Sequence, residues 1–180
     1  MKKELRRVII IIMLSLGVIL NLCSCRMKES YKEFNIKNIT SSVNDNYFTS
    51  EDFSFARINN VVIIPEVKAI NHKEYIVYIS AYSKSGKEIV QIENVVLKEQ
   101  ETVLLSNTLG NTIEFEQNSD SIYDGWITGG TFTEETLKVE DGKKYDIIIE
   151  ADVSDNDLNI SKKLTFEMEI KGHKSFVWPT

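Results

Sequence analysis

Most of the chain after residue 50 alternates between apolar and polar positions with a period of two. The clearest case is "LTFEMEIK", where every second residue from Leu164 to Ile170 is apolar and the residues between are polar. Successive side chains of a β-strand point to opposite faces, so this stretch predicts a strand with one apolar and one polar face. "YDIIIEADV", which begins at Tyr145, shows the same alternation and is interrupted only by Ile148.

The same alternation predicts seven further strands. They are "FSFARI" from Phe53, "VVIIPEVKAI" from Val61, "EYIVYISAY" from Glu74, "KEIVQIENVVLK" from Lys87, "TIEFEQ" from Thr112, "IYDGWIT" from Ile122 and "TLKVE" from Thr136. Turn sequences separate them at Ser85-Gly86, Gly110-Asn111, Gly129-Gly130 and Asp141-Gly142. Turns about 8 to 12 residues apart are typical of an all-β sandwich or barrel. Pro65 lacks an N–H donor, so we expect its strand to lie at an edge, to begin there or to be broken there.

The N-terminus has a different pattern. Four basic residues among the first seven precede fifteen mostly apolar residues, "VIIIIMLSLGVILNL". As a helix this run would cover roughly 22 Å, which is short of the roughly 30 Å core of a bilayer. The pattern therefore predicts a cleaved export signal over residues 1–24, and an uncleaved membrane anchor is the alternative.

Cys23 and Cys25 are the only cysteines, and they stand where the apolar run stops. The stretch Leu22, Cys23, Ser24, Cys25 resembles the lipobox of bacterial lipoproteins. The resemblance implies that Cys25 carries a lipid and becomes the mature N-terminus, anchored on the extracytoplasmic side of the bacterial cell membrane. Two incidental cysteines are one alternative. A metal clip is another, but it needs further ligands that the following "RMKES" does not offer.

Net charge restricts the partners of the mature protein. The whole chain carries −6, and loss of residues 1–24 removes four basic residues and one acidic residue, which leaves −9. An acidic chain without a Lys/Arg cluster is a poor ligand for nucleic acid, or for an anionic membrane beyond its lipid anchor. We therefore expect no nucleic-acid partner.

The predicted domain organisation has four parts: the signal over 1–24, a tether over 25–50, one β-sandwich domain over 51–172 and a C-terminal tail over 173–180. Within the sandwich, "VEDGKKYDIIIEADV" resembles the end of strand E and the start of strand F in immunoglobulin-like and fibronectin type III-like domains. The resemblance implies an antiparallel β-sandwich. It also implies that Tyr145 forms a tyrosine corner, with its ring inward and its hydroxyl bonded to backbone. The inter-sheet cysteine pair of antibody domains is absent.

The sequence contains no recognisable catalytic or cofactor motif, so we predict neither enzymatic activity nor a cofactor. The only histidines, His72 and His173, each stand beside a lysine in a turn-like setting, as solvated loop residues do. Asp155, Asp157 and Asn159 resemble the start of a calcium-binding loop. The positions that need a glycine and a bidentate carboxylate hold isoleucine and phenylalanine, so we predict a hairpin turn and no metal site.

The segment "SIYDGWITGGTFTEET" concentrates aromatic residues among glycines and hydroxyls. Tyr123, Trp126 and Phe132 are candidate contact residues because rigid aromatic side chains give contact area at low entropic cost, although a core position in a strand is the favoured alternative for Trp126.

We predict a non-catalytic binding or envelope-interaction module. One alternative is a carbohydrate-binding module or weak glycan hydrolase, for which Glu134 and Glu135 are candidate paired carboxylates and which a row of exposed aromatics beside such carboxylates would favour. The other alternative is an accessory subunit of an envelope complex.

Overall fold

A computed structural model describes residues 27–39, 43–71, 73–119, 121–133, 135, 142–155 and 158–176. Its elements are β1 (Met27–Ile36), α1 (Asp45–Thr49), a 3₁₀ helix (Glu51–Ala56), β2 (Arg57–Ile58), β3 (Val61–Ala69), β4 (Glu74–Ser83), β5 (Ile89–Glu99), β6 (Thr102–Ile113), β7 (Glu116–Ser119), β8 (Ile122–Thr133), β9 (Lys144–Asp155) and β10 (Leu158–Phe176). The described residues belong to two compact units, one with residues 27–31 and 172–176 and the other within residues 32–171. The second unit contains the site described below.

The strands form two five-stranded sheets. Sheet A has the order β1-β10-β9-β5-β6, and sheet B has the order β2-β3-β4-β8-β7. The strand pairs with a described register are antiparallel. Their inner faces share one apolar core, so the predicted all-β sandwich is confirmed.

The core follows from the two-residue period of the sequence. In β9, Ile147 and Ile149 are fully buried, and Phe166 of β10 pairs with Ile147 from the neighbouring strand. In sheet B, Ile63 and Ile79 are fully buried on β3 and β4. Burying an aliphatic side chain contributes about 1.5 to 3 kcal/mol, so this continuous apolar layer is the main force that holds the sheets together.

The stretch "FSFARI" was predicted to be a strand, and that prediction is wrong. Most of it belongs to the 3₁₀ helix, and only its last two residues form β2. Ser50 caps the N-terminus of this helix, and its hydroxyl accepts a hydrogen bond from the backbone N–H of Asp52 at 3.2 Å. An N-cap serine followed by two acidic residues stabilises a helix start. The apolar side chains at alternate positions therefore pack inward from a helical turn.

Helix α1 brings one further aromatic side chain into the core. Tyr47 is only 1% exposed, and its ring stacks on Phe53 with centroids 4.0 Å apart. Both β1 and α1 lie within residues 25–50, the range that the sequence pattern assigns to a tether. That pattern did not predict Tyr47 as a core residue.

Two glycine pairs predicted to form turns lie inside strands instead. Gly110-Asn111 lies in β6, and Gly129-Gly130 lies in β8. The pairing of β4 with β8 shifts by one residue between Val77 and Tyr78, directly opposite Gly129-Gly130. Gly130 has a φ of +126°, which other residues rarely adopt. The glycines thus allow a β-bulge in a continuous strand. The predicted strand "TLKVE" lies outside the described residues.

In the part of the chain that the structure describes, no helix has the length and apolarity needed to span a membrane.

Candidate functional site

The outer face of sheet B gathers polar and aromatic side chains from three adjacent strands. Tyr78 and Tyr82 of β4 alternate with buried residues, so they point away from the core. In the register of β4 with β8, Tyr82 pairs with Asp124, and Ser80 pairs with Trp126. Because directly paired residues share a face of the sheet, these side chains are neighbours on one surface.

Strand β7 and the residues before it add carboxylates to this surface. Glu116 of β7 pairs with Asp124 of β8, and Glu114 lies in the two-residue connection between β6 and β7. We refer to the surface formed by Tyr78, Tyr82, Glu114, Glu116, Asp124 and Trp126 as the aromatic-acidic face.

Trp126 is the most exposed large apolar side chain in the described part of the protein. Its exposed fraction is 64%, and its ring meets the ring of Tyr78 edge to face with centroids 5.5 Å apart. The sequence left open whether Trp126 is a core or a surface residue, and the structure places it on the surface. The Tyr78 contact restrains the indole while most of its surface remains accessible.

A cleft of about 450 Å³ runs beside Trp126 on this surface. Among the residues that the structure describes, those lining the cleft are Thr112, Glu114, Glu116, Asp124, Gly125 and Trp126, of which three are acidic and none is basic. Asn118 donates a hydrogen bond to the Asp124 carboxylate at 3.1 Å. Among the described ion pairs, none involves Glu114 or Glu116. The cleft is therefore negatively charged, and an aromatic ring forms one of its walls.

Gly125 explains how the chain brings these carboxylates beside Trp126. The chain leaves β6 in sheet A and enters β7 in sheet B next to this residue. A methyl group at Gly125 would collide with the backbone carbonyl of Glu114 and would come within 2.6 Å of the Ile113 side chain. The crossing segment can lie this close to β8 only because Gly125 has no side chain.

Tyr82 lies on the aromatic-acidic face close to its charged groups. Burial raises the pKa of its hydroxyl, a hydrogen bond with Ser80 acts in the opposite direction, and the carboxylates of Asp124 and Glu66 raise the pKa further. The net result is a pKa above the ordinary tyrosine value. The hydroxyl therefore stays protonated and can act as a hydrogen-bond donor.

Lys68 contacts the aromatic-acidic face through the Tyr78 ring. Its ammonium lies 5.3 Å from the centroid of the Tyr78 ring and 2.9 Å from Oε2 of Glu66. The Tyr78 ring and the Glu66 carboxylate therefore hold the Lys68 ammonium, a cation of the protein itself, at the border of the aromatic-acidic face.

A hydrogen-bonded loop between β4 and β5 supports Tyr123 at the end of β8. Its centre is the Glu88 carboxylate, which is 4% exposed and accepts hydrogen bonds from the hydroxyls of Ser83 and Ser85. The Ser83 hydroxyl accepts in turn from the backbone N–H of Gly86 at 2.9 Å. The Tyr123 ring lies so close to Gly86 that a methyl group there would clash with it. This packing leaves Tyr123 half-buried.

Phe132 occupies a different environment from Trp126. It is 3% exposed, its ring stacks on Tyr75 with centroids 5.2 Å apart, and Phe34 approaches both rings edge-on. Of the three aromatic residues proposed for contact, Trp126 is thus mostly exposed, Tyr123 is half-buried and Phe132 is buried.

Tyr145 lies on the inner face of β9 and is 1% exposed. Its ring position matches the expectation, and the hydrogen bond of its hydroxyl to backbone stays a prediction.

Cys25, the predicted lipidation site, lies outside the described residues, as do His72, Glu134 and Asp157. Glu135 is exposed. The loop setting predicted for His173 is wrong, because this residue lies within β10. Among the described residues, no group of three or more metal-ligating side chains could hold a metal ion.

The carboxylates of Glu114 and Glu116 were not among the predicted site residues. They are neighbours of Trp126 only because β7 folds back on β8, and the strand register is not visible in the alternation of apolar and polar residues.

Comparison with known proteins found no matching protein family, no matching curated relative and no matching solved structure.

Proposed function

We propose that this protein is a lipid-anchored, extracytoplasmic binding module, with an immunoglobulin-like β-sandwich that makes its contacts through the aromatic-acidic face. The observation that carries the proposal is the 64% exposure of Trp126 in the middle of a paired sheet. Covering an aromatic side chain removes up to about 150 to 250 Å² from water, and binding hot spots are enriched in tryptophan. A partner that binds this face would bury the exposed surface of Trp126, and this burial favours binding.

The membrane anchor is supported by the N-terminal sequence. A basic start, a fifteen-residue apolar run and the stretch Leu22 to Cys25 stand in the order that bacterial lipoproteins use. The immunoglobulin-like character is supported by the Asp-Gly turn before Tyr145 and by the inward position of that ring.

A second candidate function is carbohydrate binding. Trp126, in contact with Tyr78, lines the same cleft as the paired residues Glu116 and Asp124, which is the combination of aromatics and paired carboxylates expected for a glycan site. Aromatic rings stack on the apolar faces of sugars, and carboxylates accept hydrogen bonds from sugar hydroxyls. A neutral oligosaccharide therefore also fits the chemistry of this face.

Site-specific photo-crosslinking in bacterial envelopes tests the proposal. One full-length protein carries benzoylphenylalanine in place of Trp126. A matched control carries it in place of Val103, which is 51% exposed on the edge strand β6 of the other sheet. We expect a discrete crosslinked product from position 126 that position 103 does not give. Identical product patterns, or no product at position 126, would contradict the proposed contact surface.

A further inference from the structure

The border of the aromatic-acidic face shows how this surface holds a cation. The Lys68 ammonium lies 5.3 Å from the Tyr78 ring centroid and forms an ion pair with Glu66 at 2.9 Å. An aromatic ring attracts a cation through the negative charge on its face, and a neighbouring carboxylate adds a direct Coulomb attraction. Ring and carboxylate together therefore form a compact cation site.

Trp126 and the cleft beside it repeat this combination without an internal cation. The cation-ring contacts in the described part of the chain involve Tyr78 and Phe48, and none involves Trp126. Tryptophan is the aromatic residue that binds cations best. The cleft that Trp126 lines is also lined by Glu114 and Glu116, which have no ion pair among the described residues.

We propose that the aromatic-acidic face binds a basic segment of a partner protein, with a lysine or arginine side chain over the Trp126 ring and its charge against Glu114, Glu116 and Asp124. This inference rests on the proposed function, because it names the partner chemistry for the same face. Charge complementarity carries it, since the described residues that line the cleft include three carboxylates and no basic side chain.

Other partner chemistries fit these observations less well. A neutral sugar would leave three carboxylates without a counter-charge, and an anionic surface would be repelled. An arginine guanidinium fits both the aromatic ring and the carboxylates of this face. Its plane stacks on an aromatic ring while its N–H groups donate hydrogen bonds to a carboxylate.

Fluorescence anisotropy with fluorescein-labelled hexa-arginine as the probe tests this proposal. The protein is the full-length chain in detergent at low salt.

Trp126→Leu keeps an apolar side chain but removes the aromatic ring, and we expect it to weaken binding about two- to five-fold. Glu116→Gln removes one charge from the cleft, and we expect a similar loss. Glu101→Gln is the matched control, because it removes the same charge from the exposed turn between β5 and β6. We expect it to leave the affinity unchanged.

The outcomes separate the inference from the proposed function. Equal affinities for wild type and Trp126→Leu, or equal losses in Glu116→Gln and Glu101→Gln, would mean that hexa-arginine senses only the overall negative charge, and the inference would fail. Binding of a neutral oligosaccharide such as chitohexaose, lost in Trp126→Leu, without hexa-arginine binding would overturn the inference and leave the contact surface intact. Failure of both probes together with failure of photo-crosslinking at position 126 would overturn both. Each variant is first shown to be folded by its urea denaturation midpoint.

Discussion

Replacing Glu88 with glutamine tests how the loop between β4 and β5 is held together beside the candidate site. The carboxylate is 4% exposed and accepts hydrogen bonds from two serine hydroxyls, with the Ser85 oxygen at 2.7 Å. Glutamine has the same shape but lacks the negative charge, and one of its two terminal atoms donates rather than accepts. A hydrogen bond to a charged group contributes about 1.5 to 3 kcal/mol, so we expect Glu88→Gln to lower the free energy of unfolding by about that amount.

The same network predicts how the cost of this substitution depends on pH. Burial alone would raise the pKa of Glu88, but hydrogen bonds from Ser83, Ser85 and the backbone outweigh it, and the pKa lies below the ordinary glutamate value. A lowered pKa in the folded state means that the ionised carboxylate stabilises the fold. That stabilisation is fully present above the unfolded-state pKa of about 4.3 and is lost as the pH falls through the folded-state pKa.

Urea denaturation of wild type, Glu88→Gln and Glu101→Gln at pH 7 and at progressively lower pH provides the assay. Glu101→Gln controls for loss of an exposed carboxylate, and we expect it to change the free energy of unfolding by less than about 0.5 kcal/mol. The difference between wild type and Glu88→Gln should shrink below about pH 4.3. A difference that is absent at pH 7, or that stays constant down to acid pH, would refute the reasoning.

Three further predictions concern the fold and the anchor. Tyr145→Phe should lower the free energy of unfolding by about 1 to 3 kcal/mol, because a buried backbone group loses its hydroxyl partner. An unchanged urea midpoint would contradict the tyrosine corner. Gly125→Ala should cost about 1 to 3 kcal/mol through the clash with the Glu114 carbonyl, and wild-type stability would show that the crossing segment lies elsewhere. Mass spectrometry of the envelope-resident protein should find Cys25 acylated at the mature N-terminus, and an unmodified Cys25 still joined to Cys23 would exclude the lipid anchor.

Alternation of apolar and polar residues predicted the sandwich well where one face of a strand is buried. The clear alternation from Glu74 corresponds to β4, and the two stretches from Tyr145 and Leu164 lie in β9 and β10. In these strands the inward residues are apolar, because a polar group there would lose its hydrogen bonds with water. The exception is Ser83 at the end of β4, which is buried but donates a hydrogen bond to Glu88. The burial pattern therefore follows the sequence pattern closely.

Alternation failed where a different local interaction decides the structure. Ser50 caps a helical turn that contains Phe53 and Phe55. These two aromatic residues stand at alternate positions, which also fits one face of a strand, so the sequence pattern does not show the helix. Gly129 and Gly130 were interpreted as a turn because glycine permits a positive φ, yet a β-bulge uses the same freedom inside a strand.

The candidate site was predictable only in part. Trp126 was singled out because of its aromatic, glycine-rich surroundings, and its exposure supports that choice. Phe132 has similar neighbours in the sequence but lies on the inner side of β8, beyond the bulge that changes the register. A one-residue shift moves a side chain to the opposite face of a sheet, so composition alone could not separate these two residues.

The central claim is that Trp126 serves contact with a partner and is not needed for folding. The direct test compares the partner captured by chemical crosslinking in bacterial envelopes between wild type and full-length Trp126→Ala, with the free energy of unfolding measured for both. We predict that capture falls by the equivalent of about 2 kcal/mol or more, as for a binding hot spot. The free energy of unfolding should fall by no more than about 1.5 kcal/mol, the contribution of the edge-to-face contact with Tyr78. Undiminished capture, or a loss of about 3 to 5 kcal/mol of stability as expected for a core tryptophan, would contradict the claim.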